Sequence, residues 1–178
     1  MTELEMMRWV LGILITAGAL SVTVLYFFRN GGEPVVAAVE EGDSRLLLQK
    51  TLMSSYPDKA GSIPSAILES DVYEVIQQSI RNGSIVNESN PIWAELEKTV
   101  AEGSPKFKSN LYVLAGGDLK PSDLNMALLI KCGVSPANIA MLVGRSKSTV
   151  TFRRKEMGKR FFDREMDANA VDELIRLL

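Results

Sequence analysis

Histidine is absent from the 178 residues, and cysteine occurs once. The lack of histidine excludes Ser-His and Cys-His nucleophile pairs and the usual zinc ligand sets. A lone cysteine excludes a disulfide within the monomer. Cys132 closes the apolar run Leu128-Leu-Ile-Lys-Cys132 and reads as core rather than as a reactive thiol, compatible with a reducing compartment. No internal repeat, sustained heptad or strand-like alternation is visible, so a parallel coiled-coil stem is unsupported and the chain reads as all-α. Asp and Glu are scattered rather than paired at helical spacing; Asp118, Asp123 and Asp163 read as caps and surface charges. No acid–base constellation stands out. The expectation is a protein that is not an enzyme and carries no cofactor or metal.

Positive charge is scarce except in one place. The net charge is −2, yet seven cations and a single acid, Glu156, lie between Arg145 and Arg160. That stretch carries +6 and leaves −8 on the rest of the chain. A solvated helix would alternate its signs. A one-signed cluster suits a polyanion, because each phosphate contacted releases condensed counterions.

The cluster falls inside the most informative motif. Val134-Ser-Pro-Ala-Asn-Ile-Ala-Met-Leu-Val-Gly-Arg-Ser-Lys-Ser-Thr-Val-Thr-Phe-Arg-Arg-Lys155 reads as a short helix, a glycine turn and a second, cationic helix. A helix-turn-helix needs a small residue at the crossing, an apolar grip and a turn glycine. Ala140, the pair Ile139 and Val143, and Gly144 supply these, with Val150 anchoring the second helix. Ser135-Pro136 opens the first helix as N-cap and first-turn proline.

At the amino end, Trp9 to Phe28 is twenty residues without a charge. As a helix it spans about 30 Å, the thickness of a bilayer core. Arg8 and Arg29 bracket it, and Trp9 and Tyr26 suit the two interfaces. A cleaved signal peptide would have a basic start and a shorter apolar core, whereas Met-Thr-Glu-Leu-Glu is acidic. Arg29, Arg45 and Lys50 after the span, against Arg8 before it, favour a cytoplasmic carboxyl side.

The pattern divides the chain into five parts: a short extracytoplasmic tail (1–8), a transmembrane helix (9–29), a flexible tether with a short irregular or helical segment (30–64), a helical subdomain (65–116) and a helix-turn-helix DNA-binding domain (117–178). The fold is expected to begin near Ser65 or Asp71. Val72, Val75, Ile76 and Ile80 share one helical face ending at Asn82-Gly83. Asn90-Pro91 caps a helix burying Trp93, Leu96 and Val100. Phe107, Leu111 and Leu114 mark the next, which stops at Gly116-Gly117. Ser122 should cap a helix over Asp123 to Lys131 with Leu124, Ala127 and Leu128 inward. Val171, Leu174 and Ile175 form the closing apolar stripe.

On the second helix of the motif, starting near Lys147 or Ser148 and ending near Phe161 or Phe162, Val150, Met157 and Phe161 should pack inward. Ser146, Lys147, Ser148, Thr151, Phe152 and Lys155 fall where side chains reach base edges. Thr151 could hydrogen-bond a base and Phe152 press on a thymine methyl, unless the ring completes the core. Arg145, Arg153, Arg154, Lys159 and Arg160 are assigned to phosphate contacts, which position a domain without reading sequence.

From Trp93 to Leu178 the chain resembles the carboxyl-terminal helix-turn-helix ends of membrane-anchored regulators of Bacteroidetes, which belong broadly with LuxR and sigma-factor region 4 DNA-binding domains. The matching residues are Trp93-Ala-Glu-Leu96, Ser104-Pro-Lys-Phe107, Leu128-Leu-Ile-Lys-Cys-Gly-Val-Ser-Pro136, Arg145-Ser-Lys-Ser-Thr-Val150 and Val171-Asp-Glu-Leu-Ile-Arg-Leu-Leu178. The resemblance implies a single-pass transcription regulator of the bacterial inner membrane with its reader in the cytoplasm. Two features depart from it: eight residues stand before the span where such regulators often carry a sensor, and Arg145 and Arg153 stand at positions that are usually apolar. The string Gly144-Arg-Ser-Lys-Ser-Thr-Val150 is also similar to one in certain transposases, but no acidic catalytic triad accompanies it.

The leading expectation is a membrane-tethered, sequence-specific DNA-binding regulator. Its partners would be double-stranded DNA, the lipid bilayer through Trp9 to Phe28, and RNA polymerase or a membrane sensor protein; palindromic half-sites make a homodimer reasonable. The alternative is a membrane-anchored adaptor whose helix-turn-helix fold grips a protein. A small membrane enzyme is the least supported reading.

Overall fold

The computed structural model describes residues 35–56 and 61–178, with side chains from residue 42 onward. The segment expected to span a membrane and the tail before it lie outside the described residues. No helix among the described residues is long and apolar enough to cross a membrane.

The described residues are all-α and contain no strand. In order they form α1 (Val35–Ser55), α2 (Ser65–Leu68), α3 (Asp71–Asn82), α4 (Ile92–Gly103), α5 (Phe107–Leu114), α6 (Pro121–Lys131), α7 (Pro136–Leu142), α8 (Lys147–Phe162) and α9 (Ala168–Leu177). Asp43–Leu178 is one compact unit.

Local chemistry accounts for most helix starts. The side chains of Ser70, Ser135 and Asp167 accept from the backbone N–H of Tyr73, Asn138 and Asn169 and so cap α3, α7 and α9. Asn90 Oδ1 accepts from Ile92 N at 3.0 Å and opens α4. At α6 the expected Ser122 cap is displaced. The helix begins at Pro121, with Lys120 at the cap position and no side-chain bond. Proline's fixed φ suits the first helical residue, so the helix starts ahead of the serine.

Packing follows the apolar spacing. Trp93, Leu96 and Val100 of α4, Phe107, Leu111 and Leu114 of α5, and Val171, Leu174 and Ile175 of α9 are all buried. Helix α6 lies at the centre, with every residue from Met126 to Ile130 buried, as befits a helix that is apolar on all sides. It packs against α4 and α9, while α8 packs against α5, α7 and α9. The core therefore runs without a break across Gly116-Gly117, and no boundary separates 65–116 from 117–178. Val75 faces solvent and Leu124 is half-buried.

The region read as a tether is different in kind. Helix α1 begins at Val35 and runs through Gly42 to Ser55. Gln49 and Leu52 are buried, and Leu48 and Met53 pack against the core. The fold thus starts well before Ser65. Burial of this inward stripe outweighs the cost of about 1 kcal/mol that a mid-helix glycine carries relative to alanine.

Candidate nucleic-acid interface

Helices α7 and α8, joined by the turn at Gly144, fill the stretch in which a helix-turn-helix is expected from the motif. Ile139 and Ala140 are buried where α7 meets α8, and Val150 is buried on the far side of the turn. The turn closes by two backbone bonds, Gly144 N donating to Met141 O at 3.1 Å and Arg145 N donating to Ala140 O at 2.8 Å. Gly144 sits at φ 62°, a left-handed conformation that costs glycine nothing. A Cβ there would also stand 3.2 Å from the side chain of Ile85. The loop carrying Ile85 is pinned to the motif, since Val86 N donates to Leu142 O at 2.7 Å.

The second helix opens on a compact hydroxyl cluster. Ser146 Oγ accepts from Thr149 N at 3.1 Å and lies 2.9 Å from Ser148 Oγ and 2.8 Å from Thr149 Oγ1. Ser146 is therefore occupied as the N-cap of α8. Lys147, Ser148, Thr151, Phe152, Lys155 and Lys159 are exposed, as is Arg145 at the turn. Phe152 is 63% exposed and does not complete the core. Val150, Met157 and Phe161 point inward as expected.

Two of the cations assigned to phosphate contacts are otherwise engaged. Arg154 is only 2% exposed. Its Nε donates to Asp172 Oδ1 at 2.7 Å and its Nη2 donates to Asp172 Oδ2, forming a two-pronged ion pair with α9. Nη2 also donates to Ala168 O at 3.1 Å and Asn169 Oδ1 at 3.3 Å. The reason is register. Arg154 follows Val150 by four residues and precedes Met157 by three, which puts it on the inward stripe. Burial pushes the Asp172 carboxyl above its ordinary range, and the hydrogen bonds and charge of Arg154 oppose that shift. Arg160 is half-buried, donating from Nη2 to Asp123 Oδ2 at 2.5 Å, with its guanidinium 5.2 Å from the Phe161 ring. Asp123, expected at the surface, is buried under this pair.

Arg153 is half-buried between two concavities. A hollow of about 240 Å³ beside the turn is lined by Ile85, Trp93, Asn125, Arg145 and Arg153. An open groove of about 550 Å³ along α8 is lined by Lys120, Ser122, Phe152, Arg153 and Lys159. Lys120 and Ser122, at the start of α6, flank α8 and were not anticipated as part of this face. Only the tertiary packing of α6 brings them there.

The carboxyl end of α8 is closed from an unexpected direction. Arg45 Nη2 of α1 donates to Arg160 O at 2.5 Å and to Asp163 Oδ1 at 3.0 Å. Gln49 Nε2 donates to Phe161 O at 2.7 Å and to Asp163 Oδ2 at 3.1 Å. Carbonyls of a last helical turn lack partners within the helix, and a cation there also complements the helix dipole. Asp163 itself adopts φ 53°, a left-handed stop that a short polar residue tolerates.

Burial also shifts two other groups. Cys132 is buried, and desolvation pushes its thiol up to about 12. Burial lowers the Lys131 ammonium from its ordinary value, and Nζ donates to Arg176 O at 2.8 Å. Among the described residues no group of Asp, Glu or Cys side chains is placed to hold a metal ion. The chain matches no protein-family model, no curated protein and no solved structure.

Proposed function

We propose that the chain is a DNA-binding regulator that reads duplex DNA with α8 and is tethered to the inner membrane of a bacterium by the apolar segment 9–29. The observation that supports it is the outward face of the helix-turn-helix: Arg145, Lys147, Lys155 and Lys159 exposed around Thr151 and Phe152. Side chains suited to base edges and to phosphates thus share the exposed face of α8 and its preceding turn, as groove recognition requires. Arg153, at the edge of the same face, completes the phosphate-holding set. Arg154 and Arg160 are left out of it, because both already serve the fold.

The test is binding of the full-length chain to duplex DNA over a range of salt. With four or five phosphates neutralised, log affinity should fall against log salt with a slope of about −4. A flat dependence overturns the reading. The double variant R153A/K155A should lose at least tenfold in affinity while keeping its unfolding midpoint.

A protein-gripping adaptor is the second reading, and the exposed ring of Phe152 beside an open groove favours it. An adaptor would keep its partner when Arg153 and Lys155 are neutralised and lose it when Phe152 becomes alanine.

A further inference from the structure

Helix α1 has two faces of opposite character. Arg45, Leu48, Gln49 and Leu52 turn inward, where they cap α8 and join the core. Asp43, Leu46, Leu47, Lys50 and Ser54 turn outward. Leu46 and Leu47 are 62% and 66% exposed, two large apolar side chains standing side by side in water. Single exposed leucines are ordinary, but an adjacent pair between opposite charges is a patterned surface.

The charges around the pair are symmetric. Asp43 lies three residues before Leu46, and Lys50 three residues after Leu47. A two-fold axis passing between Leu46 and Leu47 reverses the helix onto itself. It sets Leu46 against the partner's Leu47, and Asp43 against the partner's Lys50. Every contact then occurs twice, the signature of an isologous interface. Asp43 and Lys50 sit about 10.5 Å apart along the helix axis, so an antiparallel partner meets both charges at once. A parallel pairing would instead put Asp43 against Asp43 and Lys50 against Lys50. Like charges would then repel at both ends.

We infer that the outer face of α1 is a homodimer interface in which two copies pair antiparallel through Leu46 and Leu47, held in register by Asp43–Lys50 pairs. The contact involves few residues, so the dimer is weak in dilute solution and forms where copies are concentrated. Because the face lies away from α8, pairing leaves the helix-turn-helix free. The inference stands apart from the DNA reading, and its test contains no DNA, so either can fail alone.

The test is the mass of the full-length chain by sedimentation equilibrium, in detergent micelles where the apolar segment requires them. The wild type should show a reversible monomer–dimer equilibrium. L47D should weaken dimerisation at least tenfold, and so should each of D43K and K50D alone. The exchange D43K/K50D should restore the wild-type constant, a rescue that neither parallel packing nor micelle sharing predicts. A chain that is monomeric at every concentration overturns the proposal. So does a dimer indifferent to the single charge reversals, or an exchange that fails to rescue. Loss of binding to anionic lipid vesicles in L47D, with no change in mass, would assign the face to lipid instead.

Discussion

Arg154 shows how a single side chain can belong to two readings of the same sequence. By charge it extends the basic cluster; by position it stands on the buried stripe of α8. Position decides, because Asp172 waits at the matching place on α9. Removing one member of a buried pair leaves the other charge without compensation, a cost of about 3–5 kcal/mol. Arg154→Ala should therefore lower the unfolding free energy by that amount, measured in urea. The loss should shrink in acid. Without arginine the Asp172 carboxyl is pushed further above its unfolded range, so the folded form holds its proton more tightly. Stability tied to that proton is present at low pH and disappears as pH rises through the folded pKa. Urea unfolding at pH 5 and pH 8 would settle it; an equal cost at both would contradict the assignment. The inward row Val150, Met157, Phe161 is legible in the spacing, but charge assigns Arg154 outward although its register puts it on the same row. Asp172 is not legible, since nothing local says which helix lies opposite. Lys120 and Ser122 escaped for the same reason.

Among the elements, α8 carries the tightest constraint at a residue that drew no notice in the sequence. Gly158 is buried in the middle of the helix, and a Cβ there would stand 2.4 Å from Val171 Cγ2. Helices α8 and α9 thus approach where neither can carry an extra methyl group. A mid-helix glycine ordinarily weakens a helix, so alanine should be the better helix former. Overpacking should win here: Gly158→Ala is expected to destabilise by about 1–3 kcal/mol in thermal or urea unfolding. A stabilised variant would mean that α9 can step aside. The helices with a clear apolar stripe were legible from periodicity, as were the Asn90 cap of α4, the Ser135 cap of α7 and the turn at Gly144. A short helix over Arg45 to Met53 is legible, but the earlier part of α1 reads as a tether because its glycine and acidic residues resemble a linker. Its inward residues are scattered, and they acquire meaning only beside the end of α8.

At the scale of the whole molecule, segregation of charge is the organising fact. A chain of net charge −2 places seven of its twenty cations between Arg145 and Arg160, and the fold engages two of them internally, leaving Arg145, Lys147, Arg153, Lys155 and Lys159 without an ion pair among the described residues. On the proposed DNA reading, the salt dependence of binding should reflect those five and not the seven counted in the sequence. A slope nearer −6 would mean that Arg154 and Arg160 break their pairs on binding. The all-α class and the motif could be read from composition and spacing. The unity of the core across Gly116-Gly117 could not, because glycine pairs mark turns within domains as readily as gaps between them.

The grip of α1 on the tail of α8 has a practical side for anyone trimming this protein. A fragment beginning at Ser65 would keep every cation of the reader yet strip Arg45 and Gln49 from the carbonyls of Arg160 and Phe161. Water would take their place, and the final turn would fray. Hydrogen exchange at Arg160 to Asp163 should quicken severalfold in such a fragment relative to the intact chain, while the start of α8 stays protected by its hydroxyl cluster. A weak-binding fragment would then report a loosened helix end rather than a missing affinity for DNA.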